Sequence, residues 1–246
     1  MEPFAQVAGI AAALPAANQD TDIIMPKQFL KGTDRQGLAL GLFHHLRFRA
    51  PGVEREDFIL NRVPWREARF LVVGPNFGCG SSREHAVWGL AQQGVRAVLG
   101  TTFGGIFFDN CLNNGILALS LPPAAVARLL ELVADPCRCR LTIDLPAQEI
   151  RPEAGPAIPF ALDARRKDAL VRGLDPVAAT LEEAGAIRAF ERAHHRANPW
   201  LAQGRAGMRR REEVDEGEHP AQAAPAIGRR MPGSIQALEA GRGKRF

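Results

Sequence analysis

Short apolar runs alternate with stretches of helical spacing through the middle of the chain. Residues 69–74 and 95–99 predict buried strands, and residues 82–93 between them predict a helix that ends at Gly94. The alternation continues with helical spacing from 103 to 110, an apolar run at 116–119 and helical spacing again at 124–133. This order is typical of βαβ units, so we predict an α/β fold whose parallel-rich sheet is flanked by helices.

The patterns on either side of this segment are weaker. Residues 4–14 predict an opening strand, residues 17–22 a loop rich in turn formers, and residues 28–37 an exposed loop that leads into a helix. After residue 140 come two β-like pieces, at 141–145 and 158–162, and a helical region from 163 to about 197. Apolar periodicity stops near residue 203. We therefore predict one domain over 1–202 and a disordered tail over 203–246.

Composition excludes several classes of protein. The chain has 246 residues, of which 46% are hydrophobic and 24% are charged, as in ordinary globular proteins. The formal net charge is +4, and residues 203–246 supply most of it, because they hold nine Lys or Arg against six Asp or Glu. The predicted domain is thus almost neutral, and we expect no nucleic-acid partner.

We expect no association with a membrane. Apolar runs stay well short of the roughly 18 residues that span a bilayer. The first basic residue is Lys27, so the positively charged start of a secretory signal is missing. A cytoplasmic location is the expectation.

Four cysteines are present, at positions 79, 111, 137 and 139. Their spacing fits neither a disulfide framework nor a zinc site, so we interpret them as reduced thiols. The same spacing offers no ligand set for an iron–sulfur cluster. We therefore expect this chain to bind no metal.

Residues 76–86, NFGCGSSREHA, carry the strongest chemical signal. They fall between a predicted strand and a predicted helix. Gly78 and Gly80 allow unusual backbone angles and present amide groups to a ligand, while Ser81 and Ser82 lie where the helix is predicted to begin. Arg83 adds a guanidinium that can bind a carboxylate or phosphate through two parallel hydrogen bonds. These residues predict an anion site.

Other interpretations of the segment remain open at this point. Ser81 and Glu84 could form a capping box around an ordinary tight turn. A P-loop is disfavoured because no lysine follows Gly80, and the glycine spacing departs from a dinucleotide-binding loop at Arg83. A nucleophilic pair of Cys79 and His85 is disfavoured too, because a turn separates the two residues.

At this segment the sequence resembles the small subunit of isopropylmalate isomerase (3-isopropylmalate dehydratase), a family related to the swivelling domain of aconitase. The resemblance covers residues 4 to about 201. It rests on ordered blocks at 18–30 (NQDTDIIMPKQFL), 76–86, 107–115 (FFDNCLNNG), 160–163 (FALD) and 173–175 (GLD). It implies an aconitase-like swivelling domain of β/β/α type.

The resemblance also implies a function. Family members pair with a large subunit that holds a [4Fe–4S] cluster, and the two together interconvert 2-isopropylmalate and 3-isopropylmalate in leucine biosynthesis. The reaction is a dehydration to 2-isopropylmaleate followed by rehydration. The expected partners are therefore the large subunit, as a heterodimer, and a small dicarboxylate substrate.

Residue roles carry over by position. The resemblance implies that Ser81 is the base that removes the proton beside a carboxylate, and that Ser82 and Arg83 bind a substrate carboxylate. Gly78 and Gly80 support the loop around the developing oxyanion.

The resemblance also gives roles to two segments nearer the N-terminus. Arg35 is a candidate for the second carboxylate, and Phe29, Leu30 and Lys31 for the loop that selects the substrate side group. Thr21 and Asp22 are possible members of the site.

Two alternatives remain open. The substrate could be homoaconitate, citraconate or dimethylmaleate instead of isopropylmalate. The positive charge of Lys31 is compatible with a more acidic substrate such as homoaconitate. The chain could also be a non-enzymatic anion-binding module that uses the same glycine loop.

Overall fold

The computed structural model describes residues 1–30 and 35–201. Lys31 and the predicted tail over 203–246 lie outside the described residues, so both predictions stay predictions. The described strands are β1 (Gln6–Leu14), β2 (Phe48–Ala50), β3 (Val53–Glu54), β4 (Ala68–Val73), β5 (Ala97–Gly100), β6 (Leu117–Ser120), β7 (Arg140–Asp144), β8 (Glu149–Pro152) and β9 (Ile158–Pro159). The described α-helices are α1 (Thr21–Ile24), α2 (His44–Arg47), α3 (Glu84–Gln92), α4 (Gly105–Asn113), α5 (Pro123–Val133), α6 (Ala164–Arg172), α7 (Pro176–Leu181) and α8 (Ala184–Ala197).

Seven of the strands form one mixed sheet, in the order β6-β5-β4-β1-β7-β8-β9. The strands β6, β5, β4 and β1 are parallel to one another, as the alternating pattern predicts. From β1 through β7 and β8 to β9 the pairing is antiparallel. Only residues 145–148 separate β7 from β8, and so short a connection suits an antiparallel hairpin and not a crossover. The α/β prediction is confirmed, and the sheet is parallel in one half only.

The centre of the sheet lies in the core. Phe70, Leu71, Val72 and Val73 of β4 are completely buried, as a central strand of a sheet covered on both faces must be. Helix α5 packs against β4 and β1. Its buried residues are spaced three to four apart, at Val126, Leu129, Leu132 and Val133, which is the apolar stripe of an amphipathic helix. This packing fixes the carboxyl ends of β1 and β4, where the loops described below begin.

Two local predictions are wrong. The segment predicted as a loop over 17–22 ends in the one-turn helix α1, because the Asp20 carboxylate accepts a hydrogen bond from the Ile23 amide at 2.8 Å and so caps the turn. Helix α3 begins at Glu84 and not at residue 82. Ser81 and Ser82 therefore lie in an extended bend before the helix, with their side chains exposed.

Residues Met1–Gly185 form one compact unit, and a second unit begins at Ala186, of which the structure describes residues 186–201. Among the helices described, none combines the length and the apolar character that a bilayer span requires.

Candidate active site

Three loops meet at one edge of the sheet. They follow the carboxyl ends of β1, β4 and β5, which lie at the same edge because these strands are parallel. Residues 74–83, after β4, form the middle loop. On one side the Gly78 amide donates to the Gln19 carbonyl at 2.8 Å, and on the other the Gly104 amide donates to the Phe77 carbonyl at 2.9 Å. The glycine loop is thus held between its two neighbours.

Gly78 is required by both its backbone angle and its surroundings. Its φ of +70° is in the left-handed region, and a Cβ atom there would lie 2.2 Å from Cγ of Phe107. Gly80 has a φ of +86°, so the loop reverses direction just before Ser81. The prediction that both glycines adopt unusual backbone angles is confirmed.

The three loops meet around an open cavity of about 170 Å³. The residues that line it come from all three loops and from the first turn of α4: Thr21, Gly78, Cys79, Gly80, Ser81, Arg83, Gly104, Gly105, Ile106 and Phe107. Its rim is partly apolar, since the side chain of Ile106 is 57% exposed. The cavity suits a small ligand that carries a charged group and an apolar part.

Arg83 supplies the positive charge beside this cavity. Its side chain is only 12% exposed, and its guanidinium forms an ion pair with the Asp22 carboxylate. The hydrogen bond from Arg83 holds the pKa of Asp22 below its ordinary value of 3.8, so Asp22 stays ionised at neutral pH. Helix α3 begins at Glu84, the residue after Arg83, so the positive end of its dipole lies at this end of the loop. This end of the cavity therefore favours an anion.

The structure does not support a capping box or a Cys79–His85 pair in this loop. Arg83 occupies the capping position of α3 and makes no side-chain cap, and the Glu84 carboxylate instead accepts from the Asn114 side chain at 2.8 Å. The capping-box interpretation is therefore wrong. His85 lies against the ring of Trp88, with centroids 4.6 Å apart, and does not line the cavity that Cys79 lines.

The other predicted site residues lie further away. Arg35 is exposed, and its guanidinium stacks over the ring of Trp88 at 4.3 Å, outside the cavity. Phe29 packs against the ring of His44, with centroids 5.0 Å apart, and Leu30 is half-buried against the core. Ser82 is exposed and does not line the cavity either. In this chain alone, the structure brings together Ser81, Arg83, the two glycines, Thr21 and Asp22.

Sequence reasoning missed one wall of the cavity. Gly104, Gly105 and Ile106 follow β5 at the same sheet edge as the glycine loop, and the sequence patterns predict no role for them. Two successive glycines in the loop that follows a parallel strand are the signal that could have identified this wall, because small residues let a second loop approach the first.

The described residues contain no group of three or more His, Cys, Asp or Glu side chains that could hold a metal ion. Cys111 and Cys139 are buried in the core, where burial raises the pKa of each thiol. These side chains do not fit an iron–sulfur cluster.

A larger groove of about 540 Å³ lies elsewhere, over β1, β7 and β8. Its lining includes Arg140 and Arg151, and Arg151 forms ion pairs with Asp144 and Glu149. It contains none of the residues of the glycine loop. We therefore place the candidate site at the smaller cavity, where the charged groups and the loop backbone converge.

Comparison with known proteins gives a consistent result. Residues 1–124 match the family described as the aconitase C-terminal domain, and residues 177–204 match the C-terminal domain of the 3-isopropylmalate dehydratase small subunit. The small subunit 1 of this dehydratase from Mannheimia succiniciproducens is 50% identical over 201 residues, covering 82% of this chain and 99% of that protein. The small subunit from Rhodospirillum rubrum is 48% identical over 201 residues, covering 82% of this chain and 97% of that protein.

A solved structure agrees with the sequence relatives. The crystal structure of 3-isopropylmalate dehydratase from Methanocaldococcus jannaschii aligns with a TM-score of 0.55 at 25% identity, over 76% of this chain and 99% of that one. The fold, both matched regions and the high identity across nearly the full length of the relatives point the same way. The chain belongs to the family of 3-isopropylmalate dehydratase small subunits.

Proposed function

We propose that this chain is the small subunit of a two-subunit hydro-lyase that interconverts 2-isopropylmalate and 3-isopropylmalate through 2-isopropylmaleate. The observation that carries the proposal is the cavity in which Ser81 and Arg83 converge, in a chain 50% identical over 201 residues to a dehydratase small subunit. We assign to this chain the half of the reaction that binds a carboxylate and moves a proton.

Ser81 acts as the base in this proposal. Its oxygen, in the alkoxide form, accepts the proton from the carbon next to a substrate carboxylate while the substrate hydroxyl leaves the neighbouring carbon, and a proton and a hydroxyl are returned on rehydration. An iron–sulfur cluster on the large subunit would supply the Lewis acid that takes up the leaving hydroxyl. A serine hydroxyl is a weak base, so the site has to stabilise the oxygen in its anionic form. The guanidinium of Arg83 and the amides at the start of α3 supply positive potential at the cavity that Ser81 lines.

Arg83 also binds the substrate carboxylate. A guanidinium offers two parallel donors to a carboxylate, and the ion pair with Asp22 holds it in place before substrate arrives. Ser82 is the second proposed carboxylate ligand.

Selection of the substrate side group belongs to the segment around Phe29 and Leu30, whose apolar side chains suit an isopropyl group. Arg35 is the proposed ligand of the second carboxylate, and to reach the cavity it has to leave the ring of Trp88. Neither segment lines the cavity in the chain alone.

A large subunit completes the site. The relatives carry the words small subunit in their names, which implies a larger partner. Ser81 and Ser82 are both exposed in the described chain, and an alkoxide held in open water gains little from nearby dipoles. We propose that the large subunit covers this cavity and that it, and not this chain, holds the [4Fe–4S] cluster.

The experiment is anaerobic co-expression with the candidate large subunit, followed by turnover of 2-isopropylmalate. The ultraviolet absorbance of the unsaturated diacid reports the reaction. We expect activity only when both chains are present, and we expect Ser81→Ala to lower kcat by about 100-fold or more while the subunits still co-purify. Ser120→Ala, at an exposed serine that ends β6 and lies outside the cavity, is the matched control and should stay active.

Each other outcome changes the proposal in a defined way. The chains could associate and turn over homoaconitate, citraconate or dimethylmaleate but not isopropylmalate. That result would change the proposed substrate and leave the proposed type of reaction unchanged. Full activity in Ser81→Ala would remove Ser81 from its role. Failure of the chains to associate, with retained binding of a diacid by this chain alone, would favour a binding module.

A further inference from the structure

Thr21 contacts the glycine loop on both sides of Gly80. Its amide donates to the Cys79 carbonyl at 3.0 Å, and its hydroxyl donates to the Ser81 carbonyl at 2.7 Å. Gly80, with a φ of +86°, lies between these two carbonyls. Thr21 therefore bridges the residue at which the backbone turns toward Ser81.

This contact is the main restraint on the serine. Among the described residues, the hydroxyl of Thr21 supplies the only hydrogen bond from another segment to residues 80–82. Ser81 and Ser82 are exposed, and helix α3 begins only at Glu84. Without the Thr21 hydroxyl, only local torsional preferences and hydrogen bonds to water would determine the conformation of the bend between Gly80 and α3.

The segment that carries Thr21 is anchored in the core. Thr21 is only 2% exposed and opens α1, the helical turn that the Asp20 side chain caps. The next residues of α1 anchor it, since Ile24 and the following Met25 are completely buried. A donor fixed to the core in this way can hold the Ser81 carbonyl in one direction, and so restrains the backbone from which the Ser81 side chain projects.

We propose that Thr21 is a positioning residue for Ser81, which it orients through the hydrogen bond from its hydroxyl to the Ser81 carbonyl. The inference rests on the proposed role of Ser81 and deepens it. Asp22, the next residue, holds Arg83, so one helical turn positions both the proposed base and the proposed carboxylate ligand. A base that is displaced from its reacting geometry by about 1 Å can lose about 100-fold in rate.

The test compares Thr21→Val, which keeps the shape and removes the donor, with Thr21→Ser, which keeps the donor. Both are assayed in the assembled enzyme with the large subunit. We expect Thr21→Val to lower kcat by about 10- to 100-fold with little change in KM, because Arg83 still binds the carboxylate. Thr21→Ser should recover most of the kcat. Thr180→Val is the matched control, since it removes a similar hydroxyl-to-carbonyl bond to Pro176 at 2.8 Å, on α7.

Hydrogen exchange on the full chain gives a second readout that does not depend on activity. We expect the amides of residues 21 and 78, which donate to the Cys79 and Gln19 carbonyls, to exchange faster in Thr21→Val than in the wild type. In Thr21→Ser and Thr180→Val they should remain at the wild-type rate. If Thr21→Val does not fold, Thr21→Ala replaces it with the same expectations.

Several results would overturn the inference. They are an unchanged kcat in Thr21→Val, a loss in Thr21→Ser as large as that in Thr21→Val, or unchanged exchange at residues 21 and 78. A wild-type complex without any diacid turnover would instead contradict the proposed function, and the exchange data would still decide whether Thr21 holds the loop.

Discussion

Gly78→Ala tests whether the glycine loop has the geometry described above. The substitution adds one methyl group at a buried position with a φ of +70°. The new Cβ would lie 2.2 Å from Cγ and 2.6 Å from Cδ1 of the Phe107 ring. Phe107 cannot retreat easily, because it is 3% exposed and its ring packs edge-on against Phe77 with centroids 5.4 Å apart.

Two effects lower the free energy of unfolding of the Gly78→Ala variant. Left-handed backbone at a residue with a Cβ costs about 1–2 kcal/mol. Forcing a methyl group into the filled space beside Phe107 costs about 1–3 kcal/mol more. We therefore expect Gly78→Ala to lower the free energy of unfolding by about 2–5 kcal/mol, and to reduce turnover in the complex because Ser81 is three residues away.

A second glycine separates the two costs. Gly52 has a φ of +73°, and a Cβ there would meet nothing within 4 Å. Gly52→Ala should therefore show the backbone cost alone, about 1–2 kcal/mol. Urea unfolding of the wild type and both variants measures the difference, provided that the slopes agree. Equal destabilisation by the two substitutions would refute the close contact between Gly78 and Phe107.

Two further predictions concern charged groups. Asp22→Asn should lower the free energy of unfolding at pH 7 by at most about 1 kcal/mol, because the ion pair with Arg83 is partly exposed. Because Arg83 lowers the pKa of Asp22, the variant and the wild type should differ in free energy of unfolding above pH 3.8. This difference should disappear as the pH falls through the lowered pKa. A difference that grows in acid would contradict the prediction. Arg96→Met should lower the free energy of unfolding by about 1–3 kcal/mol, because the buried guanidinium pairs with the Glu2 carboxylate and donates to the Pro3 carbonyl at 3.0 Å. It should also speed hydrogen exchange at the amide of Phe4, which donates to the Leu170 carbonyl at 2.8 Å. Unchanged exchange there would show that other contacts hold the N-terminus.

The sequence by itself determined the features that depend on neighbouring residues. Alternating apolar runs predicted β4, β5 and β6 and the helices between them to within a few residues, because a buried parallel strand and an amphipathic helix each have a local period. The glycines at 78 and 80 identified the loop, since positive φ angles favour glycine whatever surrounds them. The block NFGCGSSREHA then identified the family, which the comparisons confirm.

Only the tertiary structure decided the features that depend on distant residues. The antiparallel half of the sheet arises where β1 pairs with β7, more than a hundred residues along the chain. The hydroxyl of Thr21 meets Ser81 from 60 positions away, and the guanidinium of Arg83 meets the Asp22 carboxylate from 61 positions away. A local pattern reports what a segment prefers, whereas hydrogen bonds and ion pairs between separate loops exist only after the strands beneath them have paired. The candidate site belongs to this second class, because the order of the strands brings its three loops to one edge of the sheet.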